Sequence, residues 1–239
     1  MTTDEQLYSL APTRIPRQGL TGAFRLVSSL GSAARVFEYR KELSQRVPGV
    51  SKKISAALDN PEAFRHAEQE LIFCEKNHIR CLTLNDKDYP SRLRECDDAP
   101  LALFYRGNAD LNALHVISMV GTRHATPYGQ DICTRFLTDL SILCPDALVV
   151  SGLAYGIDIH AHRAALQNQF KTVGVLAHGL DRIYPAEHRK TAVNMLKQGG
   201  LLTEFTSGTN PDRQNFVKRN RIVAGMSDAT IVIESAAKG

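Results

Sequence analysis

Beyond residue 79 the chain alternates short, unbroken apolar runs with longer stretches of helical periodicity. Ile79–Leu84, Leu101–Tyr105, His115–Val120, Ala147–Val150, Thr172–Ala177, Gly200–Thr203 and Thr230–Glu234 read as strands. Thr126–Leu143, Asp158–Asn168, Ala186–Lys197 and Phe216–Met226 read as helices, and D-K-D-Y-P (86–90) as a turn into a further short helix. Strands that are apolar throughout, rather than at every second position, are buried on both faces, as in parallel sheets. Five consecutive strand–helix units predict an α/β fold with a doubly wound, mostly parallel sheet, whose ligand site lies at the carboxyl ends of the strands.

The first 60 residues have a different texture. I-P-R-Q-G-L (15–20) and V-P-G-V-S-K-K-I (47–54) form a weak repeat, each with an apolar residue, a proline and a glycine ahead of a helical stretch. That is the arrangement of a helix-hairpin-helix turn, in which glycine takes a positive φ and the next helix offers its first amides to a phosphate. A small helical unit used for protein contacts fits the same pattern, because Glu38 and Glu42 dilute its basic face. The predicted organisation is a helical domain at 1–60, a linking helix at 61–78 opened by Pro61, and an α/β domain at 79–239.

Composition narrows the class without changing this outline. At 239 residues, 43% hydrophobic and 23% charged, the chain is of globular type with room for one large or two smaller domains. No apolar run approaches the roughly 18 residues of a membrane span, and M-T-T-D-E-Q is not a secretory start, so a cytoplasmic protein is expected. Five cysteines, an odd number without a C-x-x-C pair, fit reduced thiols and no metal site. The net charge is only +4, but Arg182–Arg221 holds eight Lys and Arg against three Asp and Glu, which points to an anionic partner.

Candidate chemistry gathers at the predicted strand ends. S-M-V-G-T-R-H-A-T (118–126), V-V-S-G-L-A-Y-G-I-D (149–158) and A-H-G-L-D-R-I-Y-P (177–185) each place glycine at a strand-to-helix turn, where bare amides and the helix dipole favour an anion. None is G-x-G-x-x-G or a Walker loop, which disfavours dinucleotides and P-loop nucleotide hydrolysis. Three such turns along one rim suit a chain of phosphates. Arg123 stands where it can reach one, and N-F-V-K-R-N-R (215–221) sets Phe216 as a stacking face beside Lys218, Arg219 and Arg221, a combination that holds single-stranded nucleic acid. Four such cations predict a salt slope near −3, from roughly −0.7 per phosphate contact. Catalytic options are few. Asp158 and His162, four apart, are expected to fix a helix start together, His160 lies off their face, Ser151 is in no nucleophile elbow, and Glu204 is a lone carboxylate more suited to capping or pairing with an arginine.

The strings V-G-T-R-x-x-T-x-Y-G (120–129), S-G-L-A-x-G-I-D-x-x-A-H-x-x-A-L (151–166), G-L-D-x-x-Y-P (179–185) and F-x-x-R-N-R-I-x-A-G-x-S (216–227) closely resemble those of the DNA-processing protein A (DprA/Smf) family, as do D-x-x-Y-P-x-x-L (86–93) and A-P-x-x-L-F-Y-R-G-N (99–108). The resemblance implies an extended Rossmann-like fold preceded by a helical, SAM-like domain. It further implies a non-enzymatic, cofactor-free, dimeric binder of single-stranded DNA that loads the RecA recombinase in DNA processing and natural transformation. Its DNA pocket falls on Gly121, Thr122, Arg123, Ser151, Gly152, Gly156, His178, Gly179, Phe216, Arg219, Asn220 and Arg221, with Lys190 as a looser match, and Lys218 joins them from the basic run alone. Thr122 stands where members commonly have Ser, and Val217 where they have Pro. Members continue past the position of Gly239, so a truncated chain is expected. The rival reading, a nucleoside-monophosphate hydrolase of the Lonely guy type, needs a P-G-G-x-G-T-x-x-E loop that this sequence lacks.

Overall fold

The structure is a computed structural model, and it describes residues 4–11, 20–50 and 58–235. The chain splits into two compact units, Met1–Tyr89 with Arg94–Leu103, and Pro90–Leu93 with Phe104–Gly239.

The first unit is helical: α1 (Asp4–Leu10), α2 (Leu20–Leu30), α3 (Ala33–Glu38), α4 (Leu43–Arg46) and α5 (Pro61–Lys76), followed by strand β1 (Arg80–Thr83). Local chemistry sets the helix starts. Ser32 caps α3 through Arg35 N–H, Asn60 caps α5 through Glu62 N–H, and Pro61 takes the first helical position, where its missing N–H costs nothing. Glu5 adds a tertiary cap, its carboxylate accepting from Ala33 N–H at 2.8 Å and Ala34 N–H at 2.9 Å. The core includes a cluster in which Phe37 stacks on Tyr8 at 4.7 Å and meets Phe64 edge-on at 5.1 Å. Gly49 has φ +81°. The first hairpin turn, around residues 15–20, and the helix start after the second, at 51–54, lie outside the described residues, apart from the backbone of Leu20.

The second unit carries α6 (Ser91–Arg94), β2 (Ala102–Gly107), β3 (Val116–Gly121), α7 (Pro127–Leu143), β4 (Leu148–Ser151), α8 (Ile157–Gln167), β5 (Lys171–Val175), α9 (Arg189–Lys197), β6 (Gly199–Thr203), α10 (Arg213–Gly225) and β7 (Ala229–Glu234), the first residues of β2 and the last of α6 falling to the first unit. The sheet has seven strands in the order β1-β2-β6-β5-β4-β3-β7. It is mixed: β6-β5-β4-β3-β7 are parallel, and β2 runs antiparallel to β6. The unbroken apolar runs are explained by burial, since every residue of β4 and β6 is buried, whereas β7 at the edge is half exposed. Met119, Val149, Ile157, Ala161 and Phe170 pack one core cluster under α7 and α8, and Leu153, Leu176, Met195 and Leu201 pack another under α9.

The helix bounds differ from the sequence pattern mainly at two starts. Ala186–His188 is a separate turn of 3₁₀ helix before α9, and α10 begins three residues early at Arg213, after an Asp212 whose side chain makes no capping bond. From β3 the strands step through β4 and β5 to β6, and β7 returns to the far side of β3. The crevice at the ends of β3 and β7 is therefore the topological switch point, where α/β sheets bind ligands. All five cysteines are free thiols, and no described helix is long and apolar enough to cross a membrane.

Candidate nucleic-acid interface

The predicted residues divide into a small exposed cluster and a buried frame. Phe216, on the first turn of α10, is the centre of the cluster. The guanidinium carbon of Arg123, from the loop after β3, lies 5.0 Å from its ring centroid, and that of Arg219 lies 6.0 Å away. Both distances are within reach of a cation–π contact. The ring of Tyr184 meets Phe216 at 6.1 Å and 63°, and is 43% exposed. Tyr184 extends the predicted set: it lies in the G-L-D-x-x-Y-P string, where an exposed aromatic beside a proline is its only signal. Arg123 and Lys218 are exposed and make no ion pair or hydrogen bond among the described residues. Asn220 is exposed on α10, and Lys190 is exposed in the first turn of α9, also without an ion pair among the described residues.

Arg219 and Arg221, read from the sequence as cations facing the ligand, are turned to other work. Arg219 is 4% exposed, donates from Nη1 to Val175 O at 2.6 Å, and places Nη2 3.5 Å from Asp158 Oδ2. Burial pushes the Asp158 carboxyl up and the Arg219 guanidinium down, while their mutual attraction opposes both shifts. Gly152 makes room for this pair, because a Cβ there would collide with the guanidinium and with Asp158. Arg221 is bonded to the Glu204 carboxylate, so Glu204 takes the arginine-pairing role expected of it. Placing these cations against buried carboxylates leaves Arg123 and Lys218 as the solvent-facing charges of the cluster.

In the first of the three turns, the expected bare amides are largely spent on the fold. Thr122 N–H donates to Glu234 O at 2.8 Å, His124 N–H to Thr122 Oγ1 at 3.2 Å, Thr126 N–H to Glu234 Oε2 at 2.9 Å and Gly129 N–H to Thr126 Oγ1 at 3.1 Å. Ile157 N–H, at the start of α8, donates to Thr122 O at 3.1 Å. Gly156 has φ +75° and lies so close to the Thr122–Arg123 peptide that no side chain fits, and a Cβ on Gly121 would strike Ile157. Ser151 is buried with Oγ donating to Met119 O at 2.6 Å. His178 and Gly179 are buried too, His178 Nδ1 donating to Gly179 O at 2.8 Å. These positions build the rim from beneath.

Asp158 and His162 do not join at the start of α8. Asp158 faces Arg219, while His162 donates from Nε2 to Gly152 O and sets Nδ1 2.7 Å from Thr172 Oγ1. Complete burial pushes the His162 pKa down to about 4, so the ring is neutral near pH 7. Among the described residues no group of three or more His, Cys, Asp or Glu side chains is placed to hold a metal ion.

Residues 80–239 match the family model for DNA recombination-mediator protein A. The chain is similar to Protein Smf of Synechocystis sp., with 32% identity covering 100% of this chain and 60% of that one. It is also similar to the putative DNA processing protein DprA of Mycobacterium tuberculosis, at 35%, covering 92% of this chain and 57% of that one. The DNA processing protein DprA of Streptococcus pneumoniae is 38% identical, over 84% of this chain and 72% of that one. The chain thus spans about three-fifths of the length of the first two. The X-ray structure of DNA processing protein A from S. pneumoniae superposes with a TM-score of 0.70 at 29% identity, covering 97% of this chain and 77% of that one. A structure reporting the single-stranded DNA binding mode of DNA processing protein A from Helicobacter pylori superposes with a TM-score of 0.60 at 28% identity, over 67% of this chain and 71% of that one.

Proposed function

The chain belongs to the DNA recombination-mediator protein A family, and from that premise we propose that it binds single-stranded DNA at the Arg123–Phe216 rim, within the Rossmann-like domain at 79–239. The observation that carries this reading is the exposed Arg123 guanidinium held 5.0 Å from the Phe216 ring, a phosphate-reaching cation and a stacking face presented together. A base splayed from the backbone can pack beside Phe216 and Tyr184 while Arg123 and Lys218 meet the flanking phosphates. Stacking accepts any base and the cations read only phosphate, so the site has little base preference. A duplex keeps its bases stacked on one another and gains only the charge contacts.

The role that follows is a mediator that holds single strands without chemistry on them and passes them to a RecA-type recombinase, acting as a homodimer. The H. pylori relative described with single-stranded DNA supports the hold on single strands, and the recombination-mediator family supports the mediator role. The enzymatic alternative loses its best carboxylate, because Glu204 is bonded to Arg221 and its side chain is 6% exposed. The test is Arg123→Ala against a fluorescein-labelled oligothymidylate. Loss of one charge-assisted contact weakens binding about tenfold or more, with thermal stability unchanged. Unchanged affinity removes Arg123 from the site and this reading with it.

A further inference from the structure

Strands β3 and β7 pair in regular step from Ile117 and Ala229 to Val120 and Val232, and then the register slips, so that Gly121 stands opposite Glu234 and Ile233 is skipped. A one-residue slip re-aims the side chain that follows it. Here that side chain is Glu234, at the switch point of the sheet. Its backbone oxygen accepts from Thr122 N–H at 2.8 Å and its carboxylate accepts from Thr126 N–H at 2.9 Å. A single residue therefore fastens both ends of the loop 122–126, and Arg123 is carried between the two fastenings.

Gly129 supplies an independent sign that this seat is built. It is the third residue of α7, where glycine weakens a helix, yet a Cβ there would collide with Glu234 Oε2 and lie 3.3 Å from its carboxyl carbon. The glycine keeps a pocket open for the carboxylate. A negative charge near a phosphate-binding rim opposes the ligand, so attraction of DNA does not account for it, whereas fixing the loop does.

We propose that Glu234 is a positioning residue for DNA binding: it holds the 122–126 loop so that Arg123 stays over Phe216. The inference rests on the reading of Arg123 as a phosphate contact, and the experiment separates the two. The full chain and its Arg123→Ala, Lys218→Ala, Glu234→Ala, Glu234→Gln, Gly129→Ala, Glu234→Ala/Arg123→Ala and Glu234→Ala/Lys218→Ala variants are titrated against a fluorescein-labelled 20-nucleotide oligothymidylate at stepped NaCl. Glu234→Ala is expected to weaken binding about as much as Arg123→Ala and to flatten the salt slope by about 0.7, the share of one phosphate contact. The double variant is then no weaker than Arg123→Ala alone, while Lys218→Ala adds its own loss to that of Glu234→Ala. Glu234→Gln, whose amide oxygen can accept the same bond, restores most of the loss. Gly129→Ala reproduces it by filling the seat, and carries the test should Glu234→Ala not fold. If Arg123→Ala weakens binding while Glu234→Ala and Gly129→Ala leave it unchanged or tighten it, Glu234 only caps α7 and the positioning role is overturned. If Arg123→Ala itself has no effect, the site reading and this inference fall together.

Discussion

Arg219 and Asp158 meet beneath the proposed binding rim with 3.5 Å between Nη2 and Oδ2, and they are 4% and 7% exposed. The pair ties α10, which carries Phe216, to α8 and, through Val175 O, to the end of β5. Arg219 thus supports the site from within, where a run of basic residues in the sequence suggests a face turned to the ligand.

That placement sets the first prediction. Removing one partner of a buried pair strands the other charge away from water and costs about 3–5 kcal/mol. Asp158→Ala and Arg219→Ala should each lower the unfolding free energy by about that amount in urea titrations. A change below about 1 kcal/mol with lost DNA binding would return Arg219 to the role of a surface cation.

The aromatic cluster sets the second. Stacking on one base is worth about 1–3 kcal/mol, so Phe216→Leu should weaken oligothymidylate binding roughly five- to a hundredfold. Tyr184→Ala, which removes the ring flanking Phe216 at 6.1 Å, should cost less. On an oligonucleotide of abasic sites both losses should disappear, because no base is left to stack. Equal losses on both oligonucleotides would mean that the rings act through the fold alone.

His162 sets the third. Its folded pKa of about 4 lies below the ordinary 6.5, so the unfolded chain binds the proton more tightly. Its contribution is therefore complete above about pH 6.5 and is lost as pH falls toward 4, by about 3 kcal/mol in total. Urea midpoints measured between pH 7.5 and 4.5 should fall on the acid side, and His162→Gln should flatten that part of the profile. A parent profile that is level across this range would contradict the buried neutral ring.

Much of the fold was legible because burial on both faces writes itself as unbroken apolar runs: β3, β4, β5 and β6 all fall within two residues of their predicted bounds. The half-exposed β7 was legible through Ile231–Ile233. The site was less so. Arg219 and Arg221 sit in the same basic run as Lys218, and what separates them is Asp158, 61 residues earlier, and Glu204, 17 residues earlier, partners that only the packed sheet brings close. Nor can local sequence show that the amides of Thr122 and Thr126 are taken by Glu234, since the register slip that delivers it belongs to strand pairing. Tyr184 lies within G-L-D-x-x-Y-P, and its place in the cluster shows only where its ring is set beside Phe216.

The salt dependence of binding tests the account most directly. With Arg219 and Arg221 held by carboxylates, two free cations of the cluster, Arg123 and Lys218, remain for phosphate, and log K against log[salt] should have a slope near −1.4, from roughly −0.7 per contact. Fluorescence anisotropy of matched single- and double-stranded 20-mers, from about 50 to 300 mM NaCl, gives that slope and the strand preference together. The account predicts this shallow slope, flattened to near −0.7 by Arg123→Ala, with the single strand bound more tightly throughout. A slope near −3, a salt-independent complex, or a duplex bound as tightly as the single strand would contradict it.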